Sequence, residues 1–362
     1  MSYITILALV FAVLGAVDRI IGNRFGLGKE FERGFMLLGT MSLSMTGMIV
    51  IAPFLADVLQ PVFDFFANVL KLDPSVIPAS LFANDMGGAP LSKEVALNET
   101  VGGFNALVVS SMMGCTISFT IPYAMTVVEP ERHKHVLFGF LCGIVTIPLG
   151  CFAAGLMCRI PIGMLLLDLL PLVIFSAVIA VGLVFCPALC IRIFGIIGTV
   201  IKAIITVGLI LGVLSFLTGL EPLKGLATLE EGTIICLNAS AVLCGMFPLM
   251  FVLSKILSKP MKALGRKLSI SETSAMGLLS NIITNATVFE MVNRMDTKGI
   301  VLNSAFAVSA AFTFGGHLAF TMAFDTAYLA PVIVGKLIAG FAGLLLAVIL
   351  YERVYKNKEA TL

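Results

Sequence analysis

The sequence predicts an all-α, polytopic membrane protein with about nine transmembrane helices, two re-entrant hairpins and two inverted structural repeats. Three observations predict it: a shortage of charge, a series of long apolar runs, and two breaker-rich segments flanked by like-charged loops. Only 12% of the 362 residues are charged, about half the share of a soluble domain. So little charge cannot cover a water-facing surface, which excludes a soluble enzyme, a nucleic-acid binder and a disordered chain. The net charge of +2 says nothing about partners.

The apolar runs fall at about 2–17, 34–56, 103–127, 136–158, 164–187, 197–219, 232–253, 300–324 and 331–350. Each is long enough to cross roughly 30 Å of hydrocarbon. The first lacks a basic leader and runs into Asp18-Arg19, so it reads as a span rather than a cleavable signal. Basic loops stay cytoplasmic. Arg19, Arg24, Lys29 and Arg33, then Arg132 and Lys134, Arg192 and Lys202, Lys255 to Lys267, and the tail with Arg353, Lys356 and Lys358 all lie inside if the N-terminus is outside and the C-terminus cytoplasmic. Lys71, Arg159 and Lys224 dissent.

This orientation puts both flanks of 269–293 on the cytoplasmic side, so the segment enters the membrane and returns. Its arms, Glu272–Ser280 and Val288–Arg294, are short, and nine helical residues rise only about 13 Å, half the hydrocarbon core. The tip at 281–287 then sits near the midplane. Segment 74–98 repeats this grammar from the outer side, with its tip at 84–90. Stretches 60–71 and 256–268 read as interfacial helices leading into the hairpins. Shifting the chain by 198 aligns Glu32, Gly34, Ser42, Gly47, Met48 and Leu55 with Glu230, Gly232, Ser240, Gly245, Met246 and Leu253. Five crossings separate the two copies, and an odd number inverts the second. Inverted repeats with broken elements at mid-depth mark secondary transporters. The units expected are 1–158, a linking helix at 159–196, 197–352, and a cytoplasmic tail at 353–362.

Irregular polar backbone at membrane depth is tolerated only where it lines a cavity or is buried in protein. Asn84, Asp85, Gly87 and Gly88 in one tip, and Asn281, Thr284 and Asn285 in the other, are therefore the candidate substrate-binding residues. Asp85 either balances a bound cation or caps the arm that follows it. Glu290, Lys93 and Glu94 lie on the second arms. The spans after the hairpins add Ser111, Thr116, Ser309, Thr313 and His317. Ser309, Thr313, His317 and Thr321 recur every four residues and read as one helix face. Helix–helix hydrogen bonding is the plainer reading of the Ser and Thr residues, whereas His317 can also titrate. The eight cysteines lie mostly in apolar runs without a C-x-x-C pair and read as small buried hydrophobes. No P-loop is present, so the chain does not hydrolyse ATP through one. No catalytic dyad, metal site or cofactor motif is evident.

Several strings carry a family resemblance: Phe31-Glu-Arg-Gly-Phe-Met36, Asn84-Asp-Met-Gly-Gly-Ala-Pro-Leu-Ser-Lys-Glu94, the stretches 111–122 and 144–150, and Phe314-Gly-Gly-His-Leu-Ala-Phe-Thr321. Nearly end to end, the chain resembles the ethanolamine permeases of the ethanolamine-utilisation system, the EutH family. The resemblance implies a bacterial inner-membrane transporter, not an enzyme, that brings ethanolamine to a cytoplasmic lyase pathway. It carries over to Asp85, Gly87, Gly88, Lys93, Glu94 and His317. The chain departs from the family at Cys115 and Gly316, where Pro and Asp are common. Without an acid at 316, Asp85 or Glu290 takes a larger share of an ammonium charge. Lipid and the small-molecule substrate are the partners expected, and a homo-oligomer is left open. A transporter for another small amine or amino acid, and a passive channel, are the alternatives that residues alone do not separate.

Overall fold

The computed structural model describes residues 3–359, with side chains to 353. The first two residues of the expected first unit, and most of the expected tail with Lys356 and Lys358, lie outside the described side chains. Among the described residues the chain is helical and contains no strand.

Helix α1 (Tyr3–Ile20) is followed by a long α2 (Leu27–Asn68), which starts after Gly26 in the left-handed region, φ 83°. A helical hairpin follows, with α3 (Val76–Leu81), a tight turn at Asn84–Met86, and α4 (Gly88–Val95). A continuous helical rod then runs through α5 (Glu99–Phe104), π-helical stretches at Asn105–Gly114 and Thr116–Thr120, and α6 (Ile121–Val127). Next come α7 (His133–Ile144), α8 (Ile147–Met157), α9 (Ile162–Phe185) and α10 (Pro187–Thr218). The second long helix, α11 (Leu229–Leu268), leads into a second hairpin of α12 (Glu272–Asn281) and α13 (Ala286–Met291). Helices α14 (Thr297–Ala310), α15 (Gly316–Phe324) and α16 (Leu329–Glu359) complete the chain.

Eight helices or helical runs among the described residues are long and apolar enough to cross a membrane. They match eight of the nine expected spans. The ninth, 300–324, is interrupted at 311–315, between α14 and α15. The sequence expectation therefore needs two corrections. Ser309 and Thr313 do not share one helix face with His317 and Thr321, because the helix stops between them. The stretches 60–71 and 256–268 are not separate interfacial helices: up to Asn68 and Leu268 they continue α2 and α11, with Pro61 and Pro260 inside them. A proline can be carried within a long apolar helix when neighbours re-satisfy the freed backbone group.

The rod at 99–127 forms the centre, and nearly all of it is buried, whereas α1, α9 and α10 present many apolar side chains outward. Long helices α2 and α11 cross antiparallel where glycines permit close approach. A Cβ at Gly34 would meet the Leu243–Cys244 backbone, and one at Gly232 would meet Thr46. These two contacts are related by the same shift of 198 that aligns the sequences. The shift recurs in the caps. Asn98 accepts from Val101 N at 3.0 Å, and Asp296 accepts from Gly299 N at 3.0 Å.

Each hairpin is closed at its base by a carboxylate. Asp73 accepts from Ser75 N and Oγ at 3.0 and 2.6 Å and from Leu97 and Asn98 N at 3.1 and 3.0 Å. Asp296 accepts from Ser271 N at 2.8 Å and Ser274 Oγ at 2.7 Å as well as Gly299 N. Burial alone would raise the Asp296 carboxyl, but these donors hold it below the ordinary carboxylate range. The two ends of each hairpin therefore lie side by side. At one end of the bundle Arg132 donates to Met295 O, Lys262 pairs with Glu272 and Lys298 with Glu352. The base of the 74–98 hairpin lies at the other end, where Tyr328 Oη donates to Thr100 O.

Candidate functional site

The tips of the two hairpins meet on the central rod. Ala83 N, at the start of the first tip, donates to Ser118 Oγ at 3.0 Å. Asn285 Nδ2, in the second tip, donates to Thr120 Oγ1 at 3.0 Å. These two hydroxyls lie two residues apart in a π-helical stretch, a feature often found at functional sites. The second tip also repairs the interrupted helix: Phe312 N and Phe314 N donate to Asn281 O and Ile282 O at 3.1 and 2.9 Å. The exposed backbone groups of the break are thus satisfied by the hairpin that faces them. Thr313 Oγ1 donates to Ala310 O at the end of α14.

Three ionisable residues converge here. Lys336, toward the start of α16, is 1% exposed, and its Nζ donates to Ser111 O at 2.7 Å. The same Nζ lies 3.2 Å from His317 Nδ1, at the first turn of α15. The ring of Phe312, held at a left-handed φ of 61°, lies 4.8 Å from the His317 ring. So bulky a residue in that region signals local strain, which persists only where surroundings enforce it. Asp85 is part-exposed within the first tip and close enough to Lys336 for the two charges to interact. The two form no direct ion pair. Asp85 does not cap α4 either, because Gly87 occupies the cap and no side chain bonds there. Gly87 has φ 107°, and a Cβ on it would meet Met48, while one on Gly88 would meet Phe82 O. Glycine is what lets this tip pack so closely.

Buried polar atoms without partners gather in the same region. Neither Asn84 Oδ1 nor Nδ2 has one, and Asn281 Oδ1, Asn285 Oδ1 and Ser309 Oγ lack one too. Such groups are costly unless water or a ligand satisfies them. Next to Gly316 there is open space, with nothing within 4 Å of a notional Cβ. Other candidates are occupied structurally. Asn281 Nδ2 donates to Asn303, and Ser111 Oγ and Thr116 Oγ1 donate to helix carbonyls. Thr284 Oγ1 accepts from Ala286 N. Glu290 stands apart from the junction, exposed, and accepts from Tyr123 Oη at 2.9 Å. Lys93 lies over the Phe324 ring, and Glu94 is exposed.

Sequence reasoning missed two residues. Lys336 and Asp168 each interrupt an apolar run expected to span the membrane, which is the signal that could have found them. Asp168, on α9, is 3% exposed, accepts from Asn105 Nδ2 at 2.9 Å, and lines a cleft of about 400 Å³ with Lys71 and Asp73.

A bundle of long apolar helices with a lysine, a histidine and an aspartate gathered where two hairpin tips meet defines a multi-pass membrane protein with a polar site at its centre. Ionisable groups in such a setting are expensive and mark substrate or ion pathways. The family profile described as "Ethanolamine utilisation protein, EutH" matches residues 1–350, and the chain belongs to that family. It is 40% identical over 354 residues to the "Probable ethanolamine permease EutH" of Listeria monocytogenes, covering 98% of this chain and 95% of that one. It is 36% identical over 381 residues to the proteins of the same name in Salmonella typhimurium and Escherichia coli, covering 95% of this chain and 93% of each. No solved structure matches the chain.

Proposed function

We propose that this chain is a permease carrying ethanolamine across the bacterial inner membrane, with the ammonium at Asp85 and the hydroxyl at the Asn84 amide. The substrate is taken from the names of its relatives, which cover the chain almost completely. The observation that carries the site is the first hairpin tip. There an acid free of capping and ion pairing adjoins an asparagine whose donor and acceptor are both unpartnered. Ethanolamine has one ammonium and one hydroxyl, so the two residues match it group for group. Its charged form crosses hydrocarbon poorly, and a protein pathway relieves that cost. Labelled ethanolamine should enter proteoliposomes holding the purified chain faster than protein-free vesicles. Unlabelled ethanolamine should compete better than choline, serine or ammonium. Equal uptake by the two kinds of vesicle, or stronger competition by serine, would remove ethanolamine as the substrate.

The reading extends to topology. The chain comprises two inverted units, 1–158 and 197–352, with re-entrant hairpins at 74–98 and 269–293, the N-terminus outside and the C-terminus cytoplasmic. Support comes from the carboxylate-closed hairpin bases and the contacts repeating at a shift of 198. In a background lacking the native cysteines, single cysteines at exposed Asp64 and Glu230 should react with an impermeant thiol reagent from outside. Those at Lys262 and Arg294 should react only from inside. Labelling of 262 and 294 from opposite faces would make 269–293 a full crossing and end the inverted-repeat reading.

A further inference from the structure

Lys336 has no role in the binding scheme above, and a buried cation beside a site for a cation needs a reason. Its Nζ has two polar partners, Ser111 O and His317 Nδ1, and neither carries negative charge to balance it. Among the described residues no carboxylate pairs directly with it. Of the titratable groups near it, His317 on α15 is in contact, and Asp85 on the first tip, Cys115 on the central rod and Cys151 on α8 are close enough for their charges to act on it. Only Asp85 is ordinarily an anion. With Asp85 and Lys336 both ionised, the empty site is neutral. A substrate ammonium at Asp85 would leave one uncompensated positive charge in a buried setting, which is strongly unfavourable.

Resting on the reading of the site as one for ethanolamine, we propose that the substrate ammonium takes over the charge of Asp85 from Lys336, which gives up its proton through His317, so that transport exchanges one ammonium cation for one proton. The N–H bond broken is on Lys336 Nζ, and the one formed is on His317 Nδ1, within hydrogen-bond reach at 3.2 Å. The opposite ring nitrogen releases a proton to water on the side to which the site is open. Neutral Lys336 keeps its bond to Ser111 O and accepts one from the newly protonated Nδ1. After the substrate leaves on the far side, Lys336 takes a proton from that side, and the empty site returns to its starting charge. One ammonium enters, one proton leaves, and no net charge crosses. The competing account makes Lys336 a strut for the Ser111 carbonyl, which lies in the π-helical stretch of the rod.

The test is initial ethanolamine uptake into proteoliposomes of the full chain, with the uptake of protein-free vesicles subtracted. Potassium and valinomycin set the potential. Wild-type uptake should change less than about twofold under about 100 mV, inside negative, a potential that would bias a cation uniport by up to roughly 50-fold. An acidic lumen should accelerate it. Lys336→Met should lose the response to lumenal acid, and its remaining uptake should rise with the potential. Wild-type uptake that follows the potential overturns the exchange, and so does Lys336→Met behaving as wild type. The wild-type arm decides even if the variant fails to fold. Absence of any protein-dependent uptake would instead overturn the ethanolamine reading, and the exchange with it.

Discussion

Asp85→Asn should lower ethanolamine affinity about 30- to 1000-fold, equivalent to roughly 2–4 kcal/mol for losing a close charge partner in a partly dry site. Asparagine keeps the shape and removes the charge. Asp85 caps no helix and joins no direct ion pair, and Lys336 can shed its proton when the anion is removed, so the variant should fold and reach the membrane. The loss has two sources. The substrate ammonium no longer meets an anion, and Lys336 no longer faces one. Asn84→Ala is the internal contrast. It removes a neutral partner and should cost about 1 kcal/mol, or several-fold in affinity. The measurement is the concentration dependence of uptake, with initial rates taken well below saturation. Asp85→Asn within threefold of wild type under those conditions would remove Asp85 from the ammonium site.

Gly208→Leu should destabilise the fold by about 3 kcal/mol. Helix α10 meets α2 through Gly208 and Gly212, spaced four apart, opposite Gly47 and Val50. A Cβ on Gly208 would meet the Gly47 carbonyl oxygen, and a Cβ on Gly47 would meet the Ile205 oxygen. Both obstacles are backbone, so a rotamer change cannot relieve them. In lipid, where the hydrophobic effect does not hold helices together, such close approach of small residues carries much of the packing. Gly195 lies on the same helix with nothing within 4 Å of a notional Cβ. Gly195→Leu should therefore leave the detergent melting temperature and expression level near wild type while Gly208→Leu lowers both. Equal behaviour of the two variants would mean that α10 packs elsewhere.

Much of the architecture was legible because it depends on local properties. A run of apolar residues long enough for the membrane is readable residue by residue, and eight of nine runs appear as long apolar helices. The hairpin turns were legible from the breakers near Asn84 and Asn281, but their expected extents were too long, because Gly88 to Pro90 already belong to α4 and Ala286 and Thr287 to α13. The interruption at 311–315 was hidden. Ser309, Thr313, His317 and Thr321 keep a helical spacing, and the break exists because Asn281 and Ile282 offer their carbonyls to Phe312 and Phe314. The stretches 60–71 and 256–268 misled in the opposite direction, because α2 and α11 continue into them through Pro61 and Pro260.

What the sequence determined by itself is the membrane-spanning helical class, the places where the chain turns back, and Asp85 as a charged tip residue. Each follows from composition or spacing within a few dozen positions. What only the tertiary structure decided is which of these polar groups face one another. Lys336 meets the carbonyl of Ser111, 225 residues away, and Asn285 meets Thr120 across 165 residues. Glu290, a candidate on the second arm of the other hairpin, turns outward to Tyr123. A charge in an apolar run announces that it must be satisfied. The partner that satisfies it is chosen by helix packing between distant segments, which no local pattern encodes.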